Sequence, residues 1–243
     1  MDTIAAPPFP RDLEWVNVAT LRMDQHLGRP VLVEFWDFCR PNSIRTLPYV
    51  KAWHKRYAPA GLRVIGVHSP GFPPSADPAA VRAAVQRLGV AHAVAIDTAL
   101  EVWDLYGNQG WPARYLFNRS LTLVDYHYGE GAYDETERAI AELLGVEPEP
   151  FAPLRPEDAP DAALAPQTAD QPGAYCGRYE AGGVWAVVSG RGELVANGRA
   201  FAIDAPGCLP VVEYVRHTAG VLDLRASDGV TVHATCFTPG LAA

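Results

Sequence analysis

The chain has 243 residues, 49% of them hydrophobic, enough for one large core or two modest ones, and ordinary domain sizes favour two. With 28 acidic against 20 basic side chains the formal charge is -8, which argues against a phosphate-backbone partner, so no nucleic acid is expected. The start, M-D-T-I-A-A-P-P-F-P, has neither a basic n-region nor an apolar h-region, and no later run approaches the roughly 18 apolar residues of a membrane helix; the chain reads as cytoplasmic, without membrane insertion. Residues 1 to 30 read as irregular, punctuated by Pro7, Pro8 and Pro10 and then by Leu13, Trp15, Val18 and Leu21. Val31 to Trp36 is an unbroken apolar run save for Glu34, as in a strand buried on both faces. A short polar bend follows, and Ser43 is expected to open an amphipathic helix to Tyr57 with Ile44, Leu47, Val50 and Trp53 on one stripe and a kink at Pro48.

Leu62 to His68 reads as a second strand, and S-P-G-F-P-P-S as a rigid loop. Asp77-Pro78 is a helix start, an N-cap followed by proline at the first helical position, with Gly89 as the stop. Ala93 to Ile96 is a short strand; Asp97 is expected to cap a further helix that ends before Gly107. Tyr115 to Phe117 and Leu121 to Tyr128 pair through the turn at Asn118. Asp134 as N-cap and Glu137 closing a capping box should begin a last helix, with Gly145 after its end.

Seven prolines between Glu147 and Pro172 make that stretch a linker or an extended surface arm. Beyond it the hydrophobic period changes from 3.6 to 2, and short strands are expected at 185–188, 193–196, 200–203, 210–215, 221–224 and 230–237. Asn197-Gly198 and Asp228-Gly229 are hairpin turns. The expected division is 1–146, an α/β domain, then a 147–172 linker, then 173–243, a small all-β sandwich or barrel.

The bend carries a resemblance. V-L-V-E-F-W-D-F-C-R-P-N-S-I-R-T-L-P resembles the thioredoxin-like thiol-disulfide oxidoreductases, within them the thioredoxin domain of the DipZ proteins and of NHL-repeat-containing relatives. That resemblance implies a central sheet flanked by helices, an extracytoplasmic setting, and a cis-proline facing the bend, which matches Trp111-Pro112. The last portion of the chain loosely resembles the end of the module that follows some DipZ thioredoxin domains. Aligned on Phe35-Trp36 and Arg45-Thr46-Leu47-Pro48, the C-x-x-C cysteines of the family fall on Arg40 and Ser43, so the dithiol is missing. Cys39 stands one residue ahead of the usual nucleophile, and Glu34 matches the acid that thioredoxins bury beneath their cysteines. Where the relatives read G-V-H-T-P-E-F this chain has G-V-H-S-P-G-F, so Gly71 replaces a second acid.

Each candidate has a functional and a plain reading. Cys39 lies where helix N-terminal N–H groups and Arg40 favour a thiolate, or it is a small side chain closing a strand. Arg40 is either that partner or a solvated charge. Ser43 either donates to a sulfur anion or caps the helix. Glu34 is either a proton-exchanging acid or half of an internal pair with Arg45 or Lys51. Phe38 and Trp111 line a groove for a peptide or small thiol, or they are core; Trp36 and Trp53 read as core. Cys176 and Cys208, beside Gly177 and Gly207, are either resolving thiols or packing residues. Cys236 follows the apolar parity of its strand and reads as core. His233 and Cys236 alone have metal-ligand spacing, on opposite faces of a strand, so no metal and no cofactor are expected. No G-x-G-x-x-G, no Walker loop and no peroxiredoxin-type P-x-x-x-T-x-x-C is present. The expected function is single-thiol redox chemistry at Cys39 with a protein or small-molecule thiol or disulfide as partner; the other reading is a redox-inactive module that binds proteins through the same groove.

Overall fold

The computed structural model describes residues 4–242; residues 1–3 and 243, parts of the expected ranges 1–146 and 173–243, lie outside the described residues. By backbone contacts the chain divides into two compact units, Met1–Asp37 with Asn42–Ala152, and Phe38–Pro41 with Pro153–Ala243. Among the described residues no helix is long and apolar enough to cross a membrane.

The first unit is built on one mixed sheet. Its elements are β1 (Glu14–Val16), β2 (Val31–Trp36), α1 (Pro41–Tyr57), β3 (Arg63–His68), α2 (Pro78–Arg87), β4 (Ala93–Ile96), α3 (Glu101–Leu105), β5 (Ala113–Phe117), β6 (Leu123–Tyr128) and α4 (Tyr133–Leu144). The strand order is β1-β4-β3-β2-β5-β6, with β2, β3 and β4 parallel and β1, β5 and β6 antiparallel to their neighbours. The central position of β2 explains its composition: every residue from Val31 to Trp36 is buried, as required of a strand covered on both faces. Val31, Val33 and Phe35 enter one core with Val102 of α3; Leu32, on the other face, packs with Val50 and Trp53 of α1 and Ile140 of α4.

Several helix boundaries differ from the expected ones. The first helix begins at Pro41, where a missing N–H costs nothing, so Ser43 is inside its first turn rather than its cap, and Pro48 lies within it without ending it. Helix α4 begins at Tyr133 after Ala132 in the left-handed region, with no side-chain cap; Asp134 instead pairs with Arg138, and Glu137 turns into the core. Asp97 does accept the Val102 and Trp103 N–H groups, but from outside the helix, whose flanking residue is Leu100. Asp77 caps α2 through the Ala79 N–H as expected. The lead-in holds strand β1, paired with β4, where only irregular chain is expected.

The second unit is all-β. Within the 147–172 stretch lie β7 (Leu164–Ala165) and β8 (Gln171–Pro172), and after it come β9 (Cys176–Gly190), β10 (Gly192–Ala196), β11 (Arg199–Ile203), β12 (Gly207–Ala226), β13 (Val230–Thr238) and β14 (Gly240–Leu241). Six of them form an antiparallel sheet in the order β11-β10-β12-β9-β13-β8; β14 and β7 form a separate pair. The expected strands 210–215 and 221–224 are one continuous strand, because β12 stays paired with β9 across two register shifts. Ala181, Val184, Leu194, Leu222 and Phe237, from β9, β10, β12 and β13, meet in a single core. Asn197 and Gly198 both have positive φ, the conformation that a two-residue hairpin demands.

Candidate active-site bend

Strand β2 delivers the bend and helix α1 carries it away. Asp37 is the first residue past the strand and is fully buried. Its N–H donates to Ser43 Oγ at 3.2 Å, so Ser43 ties the bend back onto the helix's first turn. One carboxylate oxygen of Asp37 accepts from the Gly71 N–H at 2.7 Å and from Ser75 Oγ at 3.0 Å; the other lies 3.6 Å from His68 Nε2. Asp37 thus ties the proline-rich loop after β3 to the bend. That loop is also held from the far side. Trp111 Nε1 donates to Ser69 O at 2.8 Å, and Ser69 Oγ donates to Asp97, whose carboxyl burial pushes above the ordinary range.

Pro112 is buried, follows a cis peptide bond, and opens strand β5, while its carbonyl accepts from the Gly129 N–H. Trp111 is half-buried against Trp103, with ring centroids 4.2 Å apart. Phe38 and Cys39 are buried, Arg40 is half-buried, and no cysteine of the chain is in a disulfide. Trp36 and Trp53 are fully buried core residues.

Glu34 is the most unusual group near the bend. It has 0% exposure, neither carboxyl oxygen has a hydrogen-bond partner, and burial pushes its pKa up to about 8. Neither expected partner reaches it: Arg45 donates to Glu130 and Lys51 to Leu88 O. Its cross-strand neighbour is instead Arg114 on β5, itself buried, whose charge partly offsets the desolvation of the acid. On the β3 side Glu34 faces Gly66, where a Cβ would come within 3.0 Å of Trp36 Nε1 and 3.2 Å of His92 Nε2. His92 is likewise buried, and burial lowers its pKa to about 3.

The remaining cysteines sit in strands of the second unit. Cys176 is exposed and donates to Asp223; Cys208 is half-buried, with Sγ 3.6 Å from Phe38 O; Cys236 is buried, and its thiol is pushed up by burial and by Asp170. Cys176 and Cys208 lie at the starts of β9 and β12, just after bends in the chain. His233 occupies a register shift in β13 and bonds Ser189 Oγ at 2.8 Å. No group of three or more metal-ligating side chains occurs among the described residues. Sequence reasoning missed Asp37, His68, Ser75 and Arg114. Asp37 was open to discovery, because a carboxylate directly after a doubly buried strand needs partners, whereas Arg114 is revealed only by register.

No family model matches the chain. It is 36% identical over 147 residues to the protein DipZ of Mycobacterium tuberculosis and of Mycobacterium bovis, an alignment covering 58% of this chain and 21% of DipZ. It is 29% identical over 135 residues to human NHL repeat-containing protein 2, covering 54% of this chain and 19% of that one. The thiol-disulfide oxidoreductase YkuV of Bacillus subtilis is 22% identical over 139 residues, 57% of this chain and 93% of YkuV. The chain therefore spans about a fifth of the DipZ length it matches. Among solved structures, the thioredoxin-like superfamily protein SPOA0173 superposes with a TM-score of 0.54 at 19% identity, covering 60% of this chain and 99% of that one. A thiol-disulfide isomerase from Corynebacterium glutamicum gives 0.52 at 23% identity, covering 58% and 98%. The first unit has the thioredoxin-like fold, and its relatives include thiol-disulfide oxidoreductases.

Proposed function

We propose that this chain is a thioredoxin-fold thiol protein that acts through Cys39 alone. The observation that supports the reading is the combination of one cysteine at the bend preceding a 17-residue helix with a buried acid, Glu34, in the strand that feeds the bend. In the first step the Cys39 thiolate attacks a disulfide R–S–S–R′, forming Cys39–S–S–R and releasing R′–S⁻. An outside thiol then attacks the mixed disulfide, takes R as a new disulfide and returns the Cys39 thiolate. A C-x-x-C protein performs that second step internally; here Arg40 and Ser43 stand in those places, and an alcohol does not expel a thiolate at useful rates. Phe38 and Trp111 are our candidates for substrate contacts, and Pro112 is the residue that matches the family's cis-proline. Domain ranges 1–146, 147–172 and 173–243 remain our division of the chain.

One observation favours a second reading. Cys39 has 0% exposure, so the bend must open before it reacts, and a bend that stays closed would leave only a redox-inactive protein-binding module. Native thiols are titrated with an aromatic disulfide, each modified residue being located by mass spectrometry, for wild type and Cys39→Ala. Modification of Cys39 at a rate that saturates with reagent, together with negligible insulin reduction until thiol is added, is the expected result. Arg40→Cys with Ser43→Cys should restore insulin reduction. If only Cys176 is modified in the native protein, the binding module is the correct reading; robust turnover by wild type without added thiol defeats the single-thiol mechanism.

A further inference from the structure

Glu34 and Arg114 are Cα partners on adjacent strands, with 0% and 2% exposure. Directly opposed residues project from the same face with Cβ atoms about 5 Å apart. Leu32, two residues before Glu34, packs with α1 and α4, so the pair points into that layer. Two acceptors on Glu34 and two donors on Arg114, Nε and Nη1, have no hydrogen-bond partner. The guanidinium is held elsewhere: Nη2 donates to Gly131 O at 2.5 Å, and the cation lies over the Trp53 and Tyr133 rings at 5.5 and 5.1 Å. Gly131 is the residue before Ala132, where the chain turns into α4.

We propose that Glu34 and Arg114 form a proton-gated pair: while Glu34 is neutral the guanidinium stays on the Gly131 carbonyl, and when Glu34 ionises it takes the guanidinium as a bidentate partner and releases the Gly131 turn. Either two-point grip of a guanidinium on a carboxylate, through Nε or through Nη1, also uses Nη2, so a bidentate Glu34 needs the nitrogen that otherwise holds the Gly131 carbonyl. A buried carboxylate tolerates ionisation only with such a partner, and among the described residues Arg114 supplies the charge that lowers the cost of ionising Glu34. The other ionisable groups whose charges reach Arg114 are Tyr133 and Glu135 from α4 and Asp125 and His127 from β6. From α1, Arg45 is engaged by Glu130, and Thr46 shares a hydrogen bond with the Tyr133 hydroxyl; β3 places Gly66 beside Glu34 and the buried His68 two residues on, and His92 Nε2 lies 3.2 Å from where a Gly66 Cβ would be. The proton state of the strand beneath the bend is thereby linked to the start of α4, about 20 residues beyond Arg114 in the chain. The device operates whether or not Cys39 reacts.

The experiment follows Glu side-chain carboxyl carbons and the Gly131 and Ala132 amides by NMR from pH 5 to 10 in the full chain. One Glu carboxyl, absent in Glu34→Gln, should stay neutral at pH 6.5 and ionise near 8, with the two amides shifting at the same midpoint in wild type and not in Glu34→Gln. Arg114→Met should raise the midpoint by about one unit or more, since the ionised acid loses its partner. Arg114→Lys, which keeps the charge without the fork, covers the case in which the methionine variant fails to fold; its amide response should fall at least about twofold. A Glu34 already ionised at pH 6.5, amides that do not follow the titration, or an undiminished amide response in Arg114→Lys would each overturn the proposal.

Discussion

The two units bury polar groups in opposite ways. Among the described residues, the buried aspartate, glutamate, arginine and histidine residues (Glu34, Asp37, Arg45, His68, His92, Asp97, Arg114, Glu137 and His26) belong to the first unit, whereas the second buries the threonines Thr235 and Thr238, the thiols of Cys39 and Cys236 and the Tyr179 phenol, all uncharged at neutral pH unless a partner ionises them. A threonine hydroxyl is satisfied by one or two backbone groups, as Thr235 is by the Tyr175 N–H and Gly173 O. A buried charge costs several kcal/mol unless it is paired, neutralised or both. The first unit thus carries the expense of buried carboxylates, guanidinium groups and imidazoles, which the second does without. Such groups mark places where chemistry happens more often than chance, and here they cluster around the strand and loop that hold the bend.

The largest test of that contrast compares Glu137 with Thr235. Glu137 accepts from Trp53 Nε1, the Tyr57 hydroxyl, Arg56 and the Phe151 N–H at 2.8 to 3.1 Å. Glu137→Ala leaves those donors without their acceptor, and we expect a loss of about 3–5 kcal/mol in urea denaturation. Thr235→Val should cost about 1–2 kcal/mol. Comparable losses would mean that the two units are not built on different principles.

A smaller effect is read from pH. Glu34 has its pKa raised from 4.5 to about 8 in the folded state, so the folded chain binds the extra proton and stability falls as pH rises through that window. His92 is lowered from 6.5 to about 3, so the unfolded chain binds the extra proton and stability falls as pH drops from 6.5 toward 3. The two slopes oppose each other between pH 4.5 and 6.5, which gives a plateau there and a decline on either side. Above the plateau the slope is up to about 1.4 kcal/mol per unit. Denaturation midpoints across pH 4 to 9 should show this shape, and Glu34→Gln should remove the alkaline decline; a decline that survives that substitution assigns it to another group. The smallest effect belongs to the second unit: Cys176 is exposed, and Cys176→Ser should change stability by no more than about 0.5 kcal/mol in the same denaturation measurement.

What the residues determine by themselves is local. The apolar run of β2, the helical stripe of α1, the Asp77-Pro78 start and the Asn197-Gly198 turn each follow from the period or backbone preference of a few neighbours, and each stands in the structure at its expected place. That Glu34 would be buried was legible for the same reason. Its neighbour was not, because Arg114 lies 80 positions away and meets it only through the register of β2 on β5. Ser43 and Glu137 tell the same story: both have the composition of a cap, but Ser43 is claimed by the Asp37 N–H and Glu137 by four donors from α1 and the chain after α4. The fusion of 210–215 with 221–224 into one strand depended on pairing with β9 on both sides of a register shift. Element type is set by preferences over a few residues, whereas the partner of a buried polar group is set by which distant segments pack against it, and that is decided only when the sheet closes.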